Sequence, residues 1–231
     1  MNREHTATIE EESAVSARWI FDSDFALPPK VCILAPGPNG KPHYADIPDD
    51  YCVISVNKAV MIPEVETDVW LMNLADQEWF EEANAAFDGV RVFWRESEDS
   101  HRFSPAIEAR LMAACRPDTY YFLGERPGLD KHTIPFFLLS DLDDTIMSGG
   151  TVTGAALQMA YHFGAREVLL CGADMSGDSY WDGSLSEKQG HGAVWNSTGV
   201  VNFLIHRVLS EKGIPVTTLS PTRLDVPFWT G

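Results

Sequence analysis

The sequence predicts an α/β protein with a mostly parallel sheet and helices on both of its faces. Three observations carry this prediction. Short apolar runs bounded by turn residues recur along the chain, segments with helical patterns separate several of them, and the proportions of hydrophobic (45%) and charged (22%) residues are those of an ordinary globular protein. Strands that alternate with helices are joined by right-handed crossovers, which generate a parallel sheet covered on two sides. The predicted fold is therefore Rossmann-like.

Seven apolar runs are predicted to be the strands of this sheet. Each is four to six residues long and is mostly apolar at consecutive positions, as strands buried on both faces are. In chain order the runs are Val31–Ala35, Tyr51–Val56, Asp68–Met72, Val90–Trp94, Tyr120–Leu123, Glu167–Cys171 and Pro215–Leu219.

Four segments between these runs are predicted to be helices. Ser104 is placed to cap one of them at its amino-terminal end, and Gly164 and Gly213 stand where helices commonly end. A further, amphipathic helix is predicted near the amino terminus, around Ser13–Phe21. The four segments are Asp76–Phe87, Pro105–Cys115, Thr151–Phe163 and Ser197–Lys212.

The length and the patterning predict one domain over residues 30–231, preceded by an N-terminal extension over residues 1–29. Residues near 95–150 are less regular and are expected to form a lid-like excursion from the sheet; a disordered insertion is the alternative. The segment Pro227-Phe228-Trp229 is expected to pack on its own domain, and the alternative is a subunit contact in a homo-oligomer.

The formal net charge of −17 limits the choice of partner. A DNA or RNA polymer is disfavoured because phosphate backbones are bound through clustered Lys and Arg. The same charge would repel a free nucleotide. A nucleotide site would therefore need backbone N–H groups, a few basic side chains or a divalent cation such as Mg²⁺.

The cysteines and the amino terminus both favour a cytoplasmic protein. The four cysteines have no CxxC spacing and lie in or beside apolar runs, as reduced, buried thiols do. The first residues, MNREHTATIEEES, lack the basic and apolar regions of a secretory signal. No apolar run approaches the roughly 18 residues that a transmembrane segment needs, so none is predicted.

Polar or glycine-rich turns follow the predicted strands at the edge where parallel sheets bind their ligands. In Ala35–Gly40, the residues Gly37, Pro38 and Asn39 are predicted to bring backbone N–H groups and an amide to a nucleotide phosphate. The pattern is neither a Walker loop nor GxGxxG, and a plain turn is the alternative.

Asn57 closes the second strand, where its amide would reach a nucleotide; a cap or a turn is the alternative.

Small residues also open a predicted helix at Ser148, Gly149, Gly150 and Thr151. The amino-terminal N–H groups of a helix bind anions, and small residues leave them accessible. These four residues are therefore predicted to contact a nucleotide phosphate. The alternative is that they serve only close packing of the helix on the sheet.

The loop after the sixth predicted strand holds Asp174, Ser176, Asp178 and Tyr180. Its oxygen-bearing side chains suit a ribose, a sugar hydroxyl or Mg²⁺, for which Asp174 and Asp178 would be the ligands. Caps and turns are the alternative use of such aspartates. His191, flanked by glycines in a polar segment, is a candidate general base because imidazole titrates near neutrality; an exposed loop histidine is the alternative.

Taken in order, these segments resemble two related groups of proteins. The order is GPN after the first strand, VN at the end of the second, SGG, EVLLCGAD, a loop tyrosine, a loop histidine and a closing IPVTTLSP. It is similar to that of the hydroxymethylpterin diphosphokinase-like (MptE-like) proteins and of the bacterial CMP-sialic-acid-dependent sialyltransferases. The resemblance covers about Val31 to Pro221.

The sialyltransferase resemblance implies that Asn39 and Asn57 hold the nucleotide. It also implies that Tyr180 steadies the leaving phosphate and that His191 is the general base. Ser176 stands where that family has the first of two phosphate-binding tyrosines, so one of the family's phosphate contacts is missing here. The diphosphokinase resemblance implies a site for Mg²⁺ and ATP around Asp174 instead.

The function that the resemblance implies is that of a transferase, a nucleotide-sugar-dependent glycosyltransferase with a CMP-sugar as one donor. Its acceptor would be a glycan or a small molecule, in surface glycan or lipopolysaccharide biosynthesis. His191 would deprotonate the acceptor hydroxyl, while Tyr180 and N–H groups at Gly149 and Gly150 stabilise the departing phosphate. One alternative is a Mg²⁺-ATP-dependent diphosphokinase of the hydroxymethylpterin type. The other is a nucleotide- or sugar-binding module without catalysis.

Overall fold

The protein forms an eight-stranded sheet with helices packed on it. The computed structural model describes residues 18–20, 23–72, 78–96, 109–110, 113–124, 151–175, 179–184, 191–207 and 212–231. The strands are β1 (Arg18–Trp19), β2 (Lys30–Leu34), β3 (Cys52–Val56), β4 (Val69–Met72), β5 (Val90–Glu96), β6 (Thr119–Gly124), β7 (Glu167–Cys171) and β8 (Val216–Thr218). The described residues include the helices α1 (Phe80–Ala86), α2 (Val152–His162) and α3 (His191–Arg207), with 3-10 helices at Pro38–Asp46 and Asn57–Met61.

All seven predicted strands are confirmed, each within two residues of its predicted ends. Helix α2 agrees with its prediction, and α1 covers part of the predicted Asp76–Phe87. In the predicted helix Pro105–Cys115, residues 109–110 and 113 are helical. Helix α3 begins six residues earlier than predicted, at His191. Gly164 and Gly213 adopt φ of 108° and 65°, the left-handed conformation expected of glycines that end helices.

Every strand pair in the sheet is parallel, and the strand order is β1-β6-β5-β4-β3-β2-β7-β8. From β2 the chain builds the sheet outward in one direction through β3 to β6. It then returns to place β7 and β8 on the other side of β2. The strand order therefore reverses between β2 and β7, which is where open parallel sheets of this kind bind ligands.

Helices cover both faces of the sheet, as predicted. On β2, Val31 and Ile33 belong to the core cluster that contains α2 and α3, whereas Cys32 and Leu34 pack with Tyr44 of the first 3-10 helix on the opposite face. A third cluster, on the strands β4 and β5, contains Trp70, Met72, Phe80 of α1 and Phe93. The alternation follows from the two-residue period of a strand.

The predicted helix around Ser13–Phe21 is wrong at Arg18–Trp19, which form strand β1 and pair in parallel with β6. The pairing satisfies the backbone groups at the edge of β6 and buries Ile20 completely. Part of the predicted N-terminal extension thus joins the sheet, while the domain boundary at residue 30 stays a prediction. The predicted lid-like excursion falls largely on residues 97–108 and 125–150, which lie outside the described residues.

Trp229 packs against the core of its own domain, as expected, and its backbone N–H donates to Thr218 O at 2.9 Å. Its neighbour Phe228 remains exposed.

All four cysteines are free thiols. Within the described ranges, none of the helices combines the length and the apolar character that a bilayer span requires.

Candidate functional site

The candidate site lies at the carboxyl ends of β2 and β7. After β2 the chain enters the 3-10 helix Pro38–Asp46, whose Tyr44 packs on one face of the sheet. After β7 it leads to α3, whose Val201, Leu204 and Ile205 pack on the other face. We refer to the region at the carboxyl ends of β2 and β7 as the crevice, because open parallel sheets bind their ligands in a crevice at such a point of strand-order reversal.

The first turn, which follows β2 (residues 35–40), and the second turn, which follows β7 (residues 172–175), meet in this crevice and are joined by hydrogen bonds from backbone N–H groups. The Gly37 N–H donates to Gly172 O at 3.0 Å, and the Asn39 N–H donates to Asp174 Oδ2 at 2.9 Å. Gly40 N–H donates to Gly37 O at 3.2 Å. The two other residues of the first turn, at positions 36 and 38, are prolines and have no N–H. The backbone donors predicted to bind a phosphate here therefore already have acceptors within the fold.

The close contact between the turns depends on two glycines. Gly172 has φ of 70°, and a Cβ on it would overlap the carbonyl oxygen of Ala35. A Cβ on Gly37 would lie 2.6 Å from the carboxyl carbon of Asp174, closer than real contacts allow. Gly172 N–H is satisfied by Ser220 Oγ at 2.9 Å, on the chain after β8. The glycines thus permit close approach of the turns, which is a more specific role than general flexibility.

Asp174 is the buried carboxyl group at the centre of this junction, with only 4% of its surface exposed. One oxygen accepts the bond from Asn39, while Oδ1 is also buried and has no hydrogen-bond partner among the described residues. Burial raises the pKa of Asp174 to about 6, although the Asn39 N–H favours the charged form. Perturbed carboxyl groups in a crevice are typical of functional sites.

We expect the stability of the fold to record this raised pKa. The unfolded chain releases the Asp174 proton near the ordinary value of 3.8, whereas the folded chain retains it to about pH 6. Folding therefore takes up a proton between these values, and the free energy of unfolding falls as the pH rises from about 4 to 6. Asp174→Asn should abolish this contribution, so its stability relative to the wild type should rise by about 1–3 kcal/mol across that range.

Urea unfolding at pH 4, 5, 6 and 7 measures this difference. Asp182→Asn is a matched control because hydrogen bonds lower the pKa of Asp182 to about 2 despite partial burial. Its stability relative to the wild type should therefore be constant from pH 4 to 7. A constant difference for Asp174→Asn over the same range would contradict a buried carboxyl with a raised pKa.

Asn57 lies at the end of the neighbouring strand β3 and adopts φ of 49°. Asparagine tolerates this left-handed conformation better than most residues. The Asn57 carbonyl accepts a hydrogen bond from Trp70 Nε1 at 2.9 Å, which holds the turn on the sheet. Asn57 therefore has a backbone role in the turn, and its predicted contact with a nucleotide stays a prediction.

The Tyr180 loop (residues 179–184) reaches from β7 across the ends of β2 and β3. Trp181 N–H donates to Pro36 O at 2.9 Å, after β2. Lys58, after β3, donates to Asp182 Oδ2 at 2.7 Å, and its ammonium lies 5.1 Å from the centre of the Tyr180 ring. Lys58 was not among the predicted site residues, although its position directly after Asn57, at the end of a buried strand, is a signal that points to it.

His191 is the first residue of helix α3, so the expectation that it belongs to a loop is wrong at the backbone level. Its side chain lies outside the described part of the structure, and its role as a base stays a prediction.

Thr151 caps helix α2, because its side chain accepts a hydrogen bond from the Gly154 N–H at 2.8 Å. The predicted phosphate contacts at Ser148, Gly149 and Gly150 lie outside the described residues.

The predicted metal ligand Asp178 and the predicted nucleotide contact Ser176 also lie outside the described residues. The pairing of Asp174 with Asp178 as a metal site therefore stays a prediction. Among the side chains that the structure describes, there is no group of three or more His, Cys, Asp or Glu residues that could hold a metal ion.

Comparison with known proteins gives a likeness to solved structures. No family model and no curated protein matches the sequence, so the resemblance to the MptE-like proteins has no support from a family match. The fold is similar to that in a crystallographic analysis of monomeric CstII, with 15% identity and a TM-score of 0.48. It is equally similar to the sialyltransferase CST-II in complex with a trisaccharide acceptor and CMP, with 16% identity and a TM-score of 0.48. Each comparison covers 87% of this chain and 89% of the other.

Proposed function

We propose that this protein is a glycosyltransferase that binds a nucleotide-linked sugar at the carboxyl ends of β2, β3 and β7. The observation that carries the proposal is the junction around Asp174, where two strand-end turns and a buried carboxyl meet at the point of strand-order reversal. Parallel α/β sheets bind nucleotides at this point. A cytoplasmic location and a CMP-linked donor in surface glycan synthesis belong to the proposal.

The reaction would form a bond between an acceptor oxygen and the sugar while the bond from the sugar to the phosphate breaks. His191 would take the proton of the acceptor hydroxyl, and the electron pair of the broken bond would leave with the phosphate. Tyr180 would donate a hydrogen bond to that phosphate. Its half-buried ring lies in the loop that spans the ends of β2 and β3.

Asp174 would act in this site as a positioning residue. Its bond from the Asn39 N–H fixes the turn after β2, and the Asn39 side chain remains exposed beside the crevice, where Nδ2 donates to Pro221 O at 3.2 Å. The buried Oδ1 of Asp174 makes direct contact with a ligand possible only after the junction opens. Asn39 and the Tyr180 loop are therefore the groups that we expect to touch the donor.

A thermal-shift series with CMP, CDP, UDP, GDP, ADP and ATP, each with and without Mg²⁺, tests the proposal. A ligand that binds only the folded state at 100 times its Kd stabilises that state by about 2.7 kcal/mol. For a chain of this length we expect the matching nucleotide to raise the Tm by roughly 5–10 °C. The corresponding nucleotide sugar should then release its nucleotide in the presence of acceptor.

The outcomes separate the proposal from its alternatives. A shift with ATP that requires Mg²⁺ would favour diphosphoryl transfer over glycosyl transfer. A shift without any turnover of the nucleotide sugar would identify a binding module. If no nucleotide shifts the Tm at millimolar concentration, the crevice is not a nucleotide site and the proposal is wrong.

A further inference from the structure

Lys58 is held by a compact set of contacts at the end of β3. Its Nζ lies 2.7 Å from Asp182 Oδ2 and 2.8 Å from Ser184 Oγ, and it faces the ring of Tyr180. Only 12% of the Lys58 side chain is exposed, against 31% for Asp182. A cation sheltered in this way interacts with a nearby anion more strongly than one in bulk water does.

An anionic ligand in this crevice needs side-chain cations because the backbone donors of the first turn are already used. Gly37 N–H and Asn39 N–H both donate to groups of the second turn. Among the described residues, the segments that follow β2, β3 and β8 carry the cations Lys41, Lys58 and Arg223. Lys41 and Arg223 are exposed, whereas Lys58 is sheltered and contacts the Tyr180 loop.

We infer that Lys58 is the phosphate-binding cation of the crevice. Without a ligand its ammonium pairs with the Asp182 carboxylate, and an anionic ligand replaces that carboxylate when it binds. The inference rests on the proposed function for the identity of the ligand, a nucleotide phosphate.

The contacts of Asp182 make this exchange possible. Its second oxygen, Oδ1, accepts from Ser184 N at 3.0 Å and from Ser184 Oγ at 2.6 Å, so the carboxylate keeps two partners when Lys58 turns away. Partly exposed ion pairs contribute little net stability, because desolvation offsets much of the attraction. A phosphate carries more charge than a carboxylate and is therefore expected to displace it.

The two partners of the pair should have opposite effects on binding, which isothermal titration of the full chain with CMP, UDP and inorganic pyrophosphate can measure. Lys58→Met should weaken binding at least about tenfold, since a hydrogen bond to a charged group is lost. Asp182→Asn should strengthen binding by about three- to tenfold, since the competing anion is removed. Lys58→Arg keeps the charge and should bind within about threefold of the wild type.

The pair formed by Lys30 and Asp50 is a matched control. Lys30 Nζ and Asp50 Oδ2 are also 2.7 Å apart, and the Lys30 ammonium lies 5.4 Å from the centre of the Tyr51 ring. Lys30, however, is the first residue of β2 and lies at the opposite edge of the sheet. Lys30→Met and Asp50→Asn should leave the affinity for each probe unchanged. Urea midpoints of all variants show which of them fold.

Binding that weakens equally in Lys58→Met and Asp182→Asn would make the pair a purely structural contact and overturn the inference. Nucleotide binding that does not depend on Lys58 would also overturn it, while the proposed function would survive. Pyrophosphate binding that depends on Lys58, with no binding of any nucleotide in the thermal-shift series, would support the inference and reject the proposed function. If none of the three probes binds, the inference is wrong, and the thermal-shift series with all six nucleotides decides the proposed function.

Discussion

Replacing Gly172 with alanine is expected to lower the free energy of unfolding by about 3 kcal/mol, the largest loss of stability that we expect from any single methyl group in the site. About 1–2 kcal/mol comes from holding an alanine in the left-handed conformation that Gly172 has at φ of 70°. The rest comes from forcing the new Cβ and the carbonyl oxygen of Ala35 apart, which strains a packed junction. Urea unfolding at pH 7 measures the loss.

Gly213→Ala separates these two contributions. Gly213 has a similar φ of 65°, but a Cβ there would meet no atom of the described residues within 4 Å. It should therefore show the conformational cost alone, about 1–2 kcal/mol. If the two variants lose the same stability, the contact between the turns after β2 and β7 is not as close as the structure has it.

The sheet could be predicted because its signal is local. Each strand is a short apolar run, and the alternation of runs with helical segments limits the topology to parallel crossovers. Asp174 could also be selected, since a polar residue directly after a buried strand lies at the binding edge of such a sheet. Strand β1 was missed because Arg18–Trp19 is only two residues long and its pairing with β6 leaves no pattern in the sequence.

The contacts inside the site could not be predicted because they join distant parts of the chain. The bond from Asn39 to Asp174 spans 135 residues, and that from Lys58 to Asp182 spans 124. A glycine-rich turn considered alone offers its N–H groups to any acceptor. Whether the acceptor is a ligand or another turn depends on which strands become neighbours. The phosphate contact at Gly37 to Asn39 therefore stays a prediction, while the acceptors that these N–H groups have within the fold depend on contacts that the turn alone does not reveal.

His191→Ala is expected to reduce turnover of the nucleotide sugar by about 10²–10⁴-fold, the range that general-base assistance usually supplies. Nucleotide affinity should remain nearly unchanged, because a base directed at the acceptor contributes little to donor binding. Single-turnover rates measure the chemical step, and titration with the nucleotide measures the affinity. In diphosphoryl transfer, by contrast, charge neutralisation dominates, and Asp174→Asn should be the more damaging change.

His206→Ala is the matched control for this measurement. His206 lies on the same helix, fifteen residues after His191 and so about 22 Å along its axis, where its exposed ring is 3.3 Å from Asp225. Its removal should leave both the rate and the affinity unchanged. If His191→Ala behaves like His206→Ala with every donor that binds, His191 does not take the acceptor proton. A base would then have to be sought among the other side chains at the carboxyl ends of β2, β3 and β7, because a glycosyl transfer still has to remove that proton.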